Sequence, residues 1–242
     1  MASSIRWSKI TLKLDFHKYE ATGNDFILLD QEINPVLVAK LCHRRYGIGA
    51  DGLISLCNKR VIYYNQDGSR APLCLNAVRC AITHIGGGVV DSDVGLFRGE
   101  KEGVYIKPAQ YQKELFVCGL AGHFYHAGVP HFIIEGPFDL EKAKSIRFDP
   151  IFGKEGTNVN FYERVSENLW RCRTYERGVE AETFSCGTGA SACFTHMKKK
   201  QGTIEFPENN ALTFSIIDEE IFMQGRARLV FSGAIQIAPV YL

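Results

Sequence analysis

"YYNQDGSRAPLCLNAVRCAITHI", residues 63–85, and "TYERGVEAETFSCGTGASACFTHM", residues 174–197, are built on one plan. In each, a strand runs into a polar turn, then a cysteine, then a helix of small residues carrying a second cysteine. The leading cysteines, Cys74 and Cys186, stand 112 residues apart in a chain of 242, close to half its length. A duplicated half is the economical explanation. It predicts two similar units around a pseudo-twofold axis.

The rest of the chain agrees with such units. Alternating apolar residues predict strands at 26–30, 61–65, 103–108, 114–120, 131–136, 158–165, 168–176, 212–217 and 228–237. Helical periodicity predicts helices at 35–45, 76–85, 140–146 and 189–200. Many strands with a few interspersed helices indicate an α+β protein.

Composition narrows the function. Hydrophobic residues make up 45% and charged residues 23%, as in soluble globular proteins. A formal net charge of +1 gives no reason to expect a nucleic acid or an anionic membrane as partner. The basic run Lys198–Lys200 reads as a solvated helix end, where cations favour the dipole. The N-terminus has no continuous apolar stretch, and no run of about 18 apolar residues occurs, so neither a secretory signal nor a membrane helix is expected. The eight cysteines form no C-x-x-C and show no zinc spacing. They are expected to be reduced thiols in a cytoplasm, with no metal bound.

A cysteine immediately before a helix faces unpaired backbone N–H groups and the positive dipole end, which favour thiolate. Cys74 and Cys186 are therefore expected to be activated, with pKa values below the usual ~8.5. Cys80 and Cys193, inside the helices, read as packing. If the halves face each other, one cleft holds a thiol on each side and N–H donors between them. That arrangement suits stereoinversion beside a carboxylate: one thiolate removes the α-proton and the opposite thiol reprotonates the other face. No Schiff-base cofactor is then required. Other readings stay open at this point. "CGTGAS" is a possible phosphate loop, though without the P-loop lysine; Cys186 and His131 are a possible nucleophilic pair; and both thiols are possible buried structural groups.

Longer motifs point further. "FHKYEATGNDFILLD" (16–30), "RRYGIGADGLI" (44–54), "NQDGSRAPLCLNAVRC" (65–80), "GVPHF" (128–132), "GTNVNF" (156–161) and "YERGVEAETFSCGTGASA" (175–192) occur in this order. Together they resemble the diaminopimelate epimerase family over nearly the whole chain. The resemblance implies two β-rich barrel or roll domains, each around a central helix, with the active site between them. It places the first domain at 1–121, with a returning strand at 235–242, and the second at 122–234. It implies an isomerase without cofactor, acting on a small amino acid in lysine and peptidoglycan precursor synthesis, and a homodimer. Cys74 and Cys186 would be the opposed acid and base. Asn24, Asn65, Asn76 and Asn158 would touch substrate, and Arg177 would grip its distal carboxylate. Glu176 would accept from an ammonium and tune the thiols, Gly187 and Thr188 would offer N–H groups, and His131 would influence thiol protonation.

Three departures from the family pattern lie near these residues. Leu75 follows the first cysteine where the family has glycine, Val129 replaces an asparagine, and one extra residue separates Glu176 from Cys186. Leu75 would reshape the wall of the substrate site, and Val129 removes a polar contact, so a looser substrate range is expected. The alternatives are a related two-cysteine racemase acting on glutamate, aspartate or a proline-like substrate, a one-base isomerase or dehydratase, and a non-catalytic amino-acid-binding protein.

Overall fold

The computed structural model describes residues 12–237 of the chain, so the expected strand at 235–242 lies largely outside the described residues. Four α-helices are present: α1 (Pro35–Cys42), α2 (Leu75–His84), α3 (Leu140–Arg147) and α4 (Gly187–Met197). Each falls within three residues of its predicted span. Their starts divide into two kinds. Helix α1 opens with Pro35 behind an Asn34 side chain that accepts from the Val36 amide at 3.0 Å, and α3 opens behind Asp139, which accepts from the Lys142 amide at 3.0 Å. These are ordinary caps, each stabilising its helix by about 1 kcal/mol. Helices α2 and α4 instead begin behind Cys74 and Cys186.

Eighteen strands among the described residues form one connected sheet, and two sets of pairings repeat. Asn24–Leu29 runs parallel to Gly52–Cys57, and Pro130–Glu135 runs parallel to Asn158–Ser166. Arg60–Asn65 meets Gly88–Ser92 in parallel, as Leu169–Glu176 meets Gln201–Phe206. The duplication is thus visible in hydrogen bonding, and the fold is α+β with two alike halves. Further antiparallel pairings join the two parts of the chain. Ala227–Ile237 pairs with Leu12–Ala21, Gln110–Val117 pairs with Leu120–His126, and Glu220–Gln224 pairs with Gly103–Ile106.

Each leading helix is the centre of its half. Helix α2 touches the strands Leu12–Ala21, Gly95–Glu100 and Ala227–Ile237, while α4 touches Pro130–Glu135 and Asn158–Ser166. Both contribute to one core cluster that includes Ala77, Val78, Ile82, Ala190, Phe194 and Phe214. Small residues on α2 and α4 let the surrounding strands approach closely. Helices α1 and α3 cover separate clusters on the outside of the sheet.

The stretch 114–120, expected as one strand, is divided by a turn. Cys118 and Gly119 adopt positive φ of 49° and 81° between Gln110–Val117 and Leu120–His126. Apolar content there conceals a hairpin. Helix α4 ends at Lys198, whose φ of 53° turns the chain out of the helix. No helix among the described residues is long and apolar enough to cross a membrane.

Candidate active site

The two cysteines that precede helices have nearly the same backbone: φ −137° and ψ 107° at Cys74, φ −115° and ψ 104° at Cys186. Each follows a short strand folded back on a longer one, Arg70–Ala71 on Arg60–Asn65 and Ala181–Thr183 on Leu169–Glu176. The two helix starts abut. A Cβ added to Gly187 would stand 3.1 Å from the Leu75 Cβ. Leu75 therefore occupies space that a bare glycine on the opposite helix leaves open, and it forms part of the wall between the thiols.

A cavity of about 610 Å³ opens at this junction, lined by both Cys74 and Cys186. It is large enough for a small-molecule ligand. Asn24, Asn65, Leu75, Asn76, Val129, Asn158, Glu176, Arg177, Gly187 and Thr188 all line it, so the sequence-predicted residues converge from both halves. His131 is the exception. It is wholly buried and does not line the cavity.

The thiols differ from expectation in protonation. Burial pushes Cys74 up to about 12; the amides of Ala77 and Asn76 oppose this, and the Glu176 carboxylate adds to it. Cys186 also rises, through burial first and Glu176 second, although its sulfur accepts from the Gly189 amide at 3.4 Å and lies 3.5 Å from Thr188 Oγ1. The helix-start amides act in the expected direction, but desolvation outweighs them. Both thiols are protonated at neutral pH. Glu176 faces both, is itself raised by burial, and accepts from Thr183 Oγ1 at 2.9 Å.

The asparagines are more committed than expected. Asn76 donates to Asn24 Oδ1 at 2.7 Å and Ser185 Oγ at 3.0 Å, and accepts from Arg79 at 2.9 Å and Thr22 Oγ1 at 3.5 Å. All its amide capacity is used within the protein. Asn158 donates to the Pro130 carbonyl and accepts from the Arg177 amide, both at 2.9 Å, which fixes the start of the "RGVE" turn. The Arg177 guanidinium itself makes no hydrogen bond or ion pair among the described residues. Asn65 donates to Ser69 Oγ at 3.0 Å.

Asp51 and Tyr63 also line the cavity and were not singled out from sequence. Asp51 accepts from Asn24 at 3.2 Å and from Arg44 at 2.6 Å. Arg44 also forks onto Asp25, which pairs with the buried Lys18 at 2.6 Å. Burial opposes ionisation of Asp25, but Arg44 and Lys18 hold it down to about 2. This is why "GND" and "GADG" occur as separate signatures: their acids share one arginine. The acidic residue in a glycine-flanked turn was the available signal. Tyr63 gave none, because an aromatic in a strand ordinarily means packing. Burial, Cys74 and Glu176 raise its hydroxyl well above the ordinary phenol value.

His131 accepts from the Asn160 amide at 3.1 Å through Nδ1, so Nε2 carries the hydrogen. Nε2 is buried without a partner among the described residues. Burial drives its pKa down to about 3, which keeps the ring neutral.

Two alike halves, with a cysteine before each of two abutting helix starts, define the class of fold, and solved structures share it. A phenazine biosynthesis protein of the PhzF family from Bacillus anthracis superposes with a TM-score of 0.70 at 12% identity, over 93% of this chain and all of that one. A hydroxyproline epimerase from Agrobacterium vitis, solved with trans-4-hydroxy-L-proline, superposes with a TM-score of 0.65 at 11% identity, over 97% and 93%. No protein-family model matches the chain. Relatives close in sequence do. The chain is 34% identical to the diaminopimelate epimerase of Aquifex aeolicus, over 91% of its length and 97% of that protein. It is 33% identical to that of Campylobacter jejuni, over 91% and 98%. The chain belongs to the diaminopimelate epimerase family, a family of isomerases.

Proposed function

We propose that the protein interconverts LL- and meso-2,6-diaminopimelate by two-base proton transfer at one α-carbon, with Cys74 and Cys186 on its opposite faces and no cofactor. The observation that supports this most is the single cavity lined by both cysteines at abutting helix starts. The substrate's α-carboxylate lies against the Gly187 and Thr188 amides, and its ammonium meets Glu176. An ammonium there cancels the negative charge that helps hold both thiols protonated, so substrate binding itself favours thiolate. One thiolate takes the α-proton, and the electron pair left on carbon delocalises into the carboxylate, where the N–H dipoles stabilise it. The opposite thiol delivers its proton to the other face, and the two sulfurs exchange protonation states. The next turnover runs in reverse or after proton exchange with solvent.

Arg177, unpaired and at the cavity wall, takes the distal carboxylate. Asn24 and Asn65 retain amide capacity for the substrate. Asn76, Asn158 and His131 act by holding these groups in place. Val129 makes the distal wall apolar, so amino acids without the full distal group are less strongly excluded, glutamate and aspartate among them. In the cell the reaction serves lysine and peptidoglycan precursor synthesis in the cytoplasm, and the working form is a homodimer. The domain limits belong to the same reading: 1–121 with a returning C-terminal strand, and 122–234.

Chiral chromatography of LL-diaminopimelate and L-glutamate incubated with the reduced protein tests this. Conversion of LL- to meso-diaminopimelate is expected, lost in Cys74→Ala and Cys186→Ala, with slow glutamate racemisation. Full activity in either alanine variant would overturn the two-base reading, and strict rejection of glutamate and aspartate would overturn the looser wall.

A further inference from the structure

At the far end of α2 from Cys74, three side chains converge that the epimerase chemistry does not use. His17 lies on Leu12–Ala21, Asp30 follows Asn24–Leu29, and His84 is in the last turn of α2. His17 Nε2 is 3.3 Å from Asp30 Oδ2, and His84 Nε2 is 2.9 Å from Asp30 Oδ1. One ligating atom from each residue lies within 4.8 Å of the other two, and no other three His, Cys, Asp or Glu among the described residues do this.

The remaining ring nitrogens are held. Ser232 Oγ, directly across the sheet from His17, meets its Nδ1 at 2.8 Å, and Tyr19 Oη meets His84 Nδ1 at 3.0 Å. Both imidazoles are therefore fixed with Nε2 turned to one carboxylate, the outer-shell arrangement that orients metal ligands. We propose that His17, Asp30 and His84 bind one divalent transition-metal ion of the zinc class. Ligands about 2.0–2.1 Å from a tetrahedral zinc stand roughly 3.3 Å apart. The two imidazoles address different oxygens of Asp30, so a small rotation of the carboxylate brings one oxygen to both or the ion takes both oxygens. On coordination each Nε2 gives its lone pair to the ion, and Nδ1 carries the proton toward Ser232 or Tyr19. Asp30 and His17 are partly open to solvent, so water completes the coordination. The ion ties two strands to the last turn of α2 and steadies the helix that carries Cys74.

The second half supplies an internal comparison. "HKYEATGNDF" (17–26) and "HFYHAGVPHF" (123–132) align at a constant offset of 106 residues, keeping His, Tyr, Ala and Phe. His196 stands at the end of α4 as His84 does on α2, with Tyr125 Oη on its Nδ1 at 3.1 Å. Its ring lies 4.2 Å from that of His123. At the position equivalent to Asp30 the chain has Gly136; the Glu135 charge acts on His196, but among the described residues no carboxylate stands within ion-pair distance of either imidazole. The repeat keeps the histidines, and the first half alone has the acid that completes a ligand set.

The test is calorimetric titration of Zn²⁺ into the full chain, alongside Asp30→Asn, His17→Gln and, as control, His123→Gln. One equivalent is expected to bind and raise Tm, with affinity at least about tenfold weaker in Asp30→Asn and His17→Gln and unchanged in His123→Gln. Co²⁺ in the native site is expected to show visible bands of nitrogen and oxygen ligation. Equal affinity in all four proteins, no binding by the native chain, or a Co²⁺ spectrum dominated by thiolate charge transfer would overturn the proposal. Far-UV circular dichroism and Tm of the metal-free variants establish that the fold is kept. Epimerisation by Asp30→Asn without added metal is expected to be unchanged, so this site and the thiol mechanism stand or fall separately.

Discussion

Glu176 and the two thiols it faces hold the chemistry at the residue scale. Desolvation raises both thiols, the buried Cys186 and the partly buried Cys74, and the Glu176 carboxylate adds to it. The sign follows directly. A raised thiol pKa means less thiolate at any given pH, so removing the carboxylate charge must lower both pKa values. In Glu176→Gln, alkylation of Cys74 and Cys186 by iodoacetamide, followed by mass spectrometry across pH, is expected to reach its midpoint at lower pH than in the native protein. A midpoint that stays put or rises would contradict the electrostatic role. Arg177→Met is expected to lower kcat/KM for diaminopimelate by roughly 10–100-fold, the loss of charged hydrogen bonds to a carboxylate; steady-state kinetics checks it. The identities of these residues were legible from sequence. Their protonation was not, because helix-start geometry is a local property and desolvation depends on what the other half lays over the sulfur.

At the scale of elements, the helices were easy to read and the strands were not. Periodicity and small-residue runs mark α1 to α4. The strand Leu12–Ala21 did not stand out from residue pattern, only from the resemblance of "FHKYEATGNDFILLD" to the family's opening strand, because its polar residues alternate with apolar ones while hydrogen bonding to partners on both sides. The hairpin at Cys118 was missed because cysteine seldom signals positive φ. The start of α4 carries a further constraint. A Cβ at Gly189 would stand 2.2 Å from Asn160 Oδ1, which accepts from Thr174 Oγ1 at 2.9 Å while the same amide donates to His131. Gly189 is required by this buried polar layer beneath the Cys186 amides. Gly189→Ala is expected to cost about 1–3 kcal/mol. Urea unfolding checks it, and a neutral result would mean that the layer yields easily.

For the whole molecule, the duplication inferred from two cysteine-led segments is repeated in paired parallel strands and in the two histidine–tyrosine clusters. What joins the halves was hidden in the sequence. Arg79, inside α2, is fully buried and donates to the Gly225 carbonyl at 2.6 Å, the Arg226 carbonyl at 3.1 Å, Asn76 and Thr22. Burial lowers its pKa to about 10, still far enough above neutrality to keep the charge. An arginine amid helix-forming residues reads as a solvated position, and the carbonyls it satisfies lie nearly 150 residues away. Arg79→Met removes the charged donor from the half-buried Gly225 carbonyl and from the buried Thr22 and Asn76 oxygens, while the Arg226 carbonyl keeps the Thr22 amide, so a loss of about 1–3 kcal/mol is expected in chemical denaturation. Gly23 marks the same seam: a side chain there would meet Phe184 Cβ at 2.8 Å and Asn210 Nδ2 at 2.9 Å.

The most direct measurement of the central claim is solvent deuterium entering the α-position of diaminopimelate, followed by mass spectrometry under reducing conditions. The account predicts one deuterium per inversion in the native protein, and exchange reduced by at least about a hundredfold in both Cys74→Ser and Cys186→Ser. Inversion without uptake of solvent deuterium, or native-like exchange in either serine variant, would contradict it.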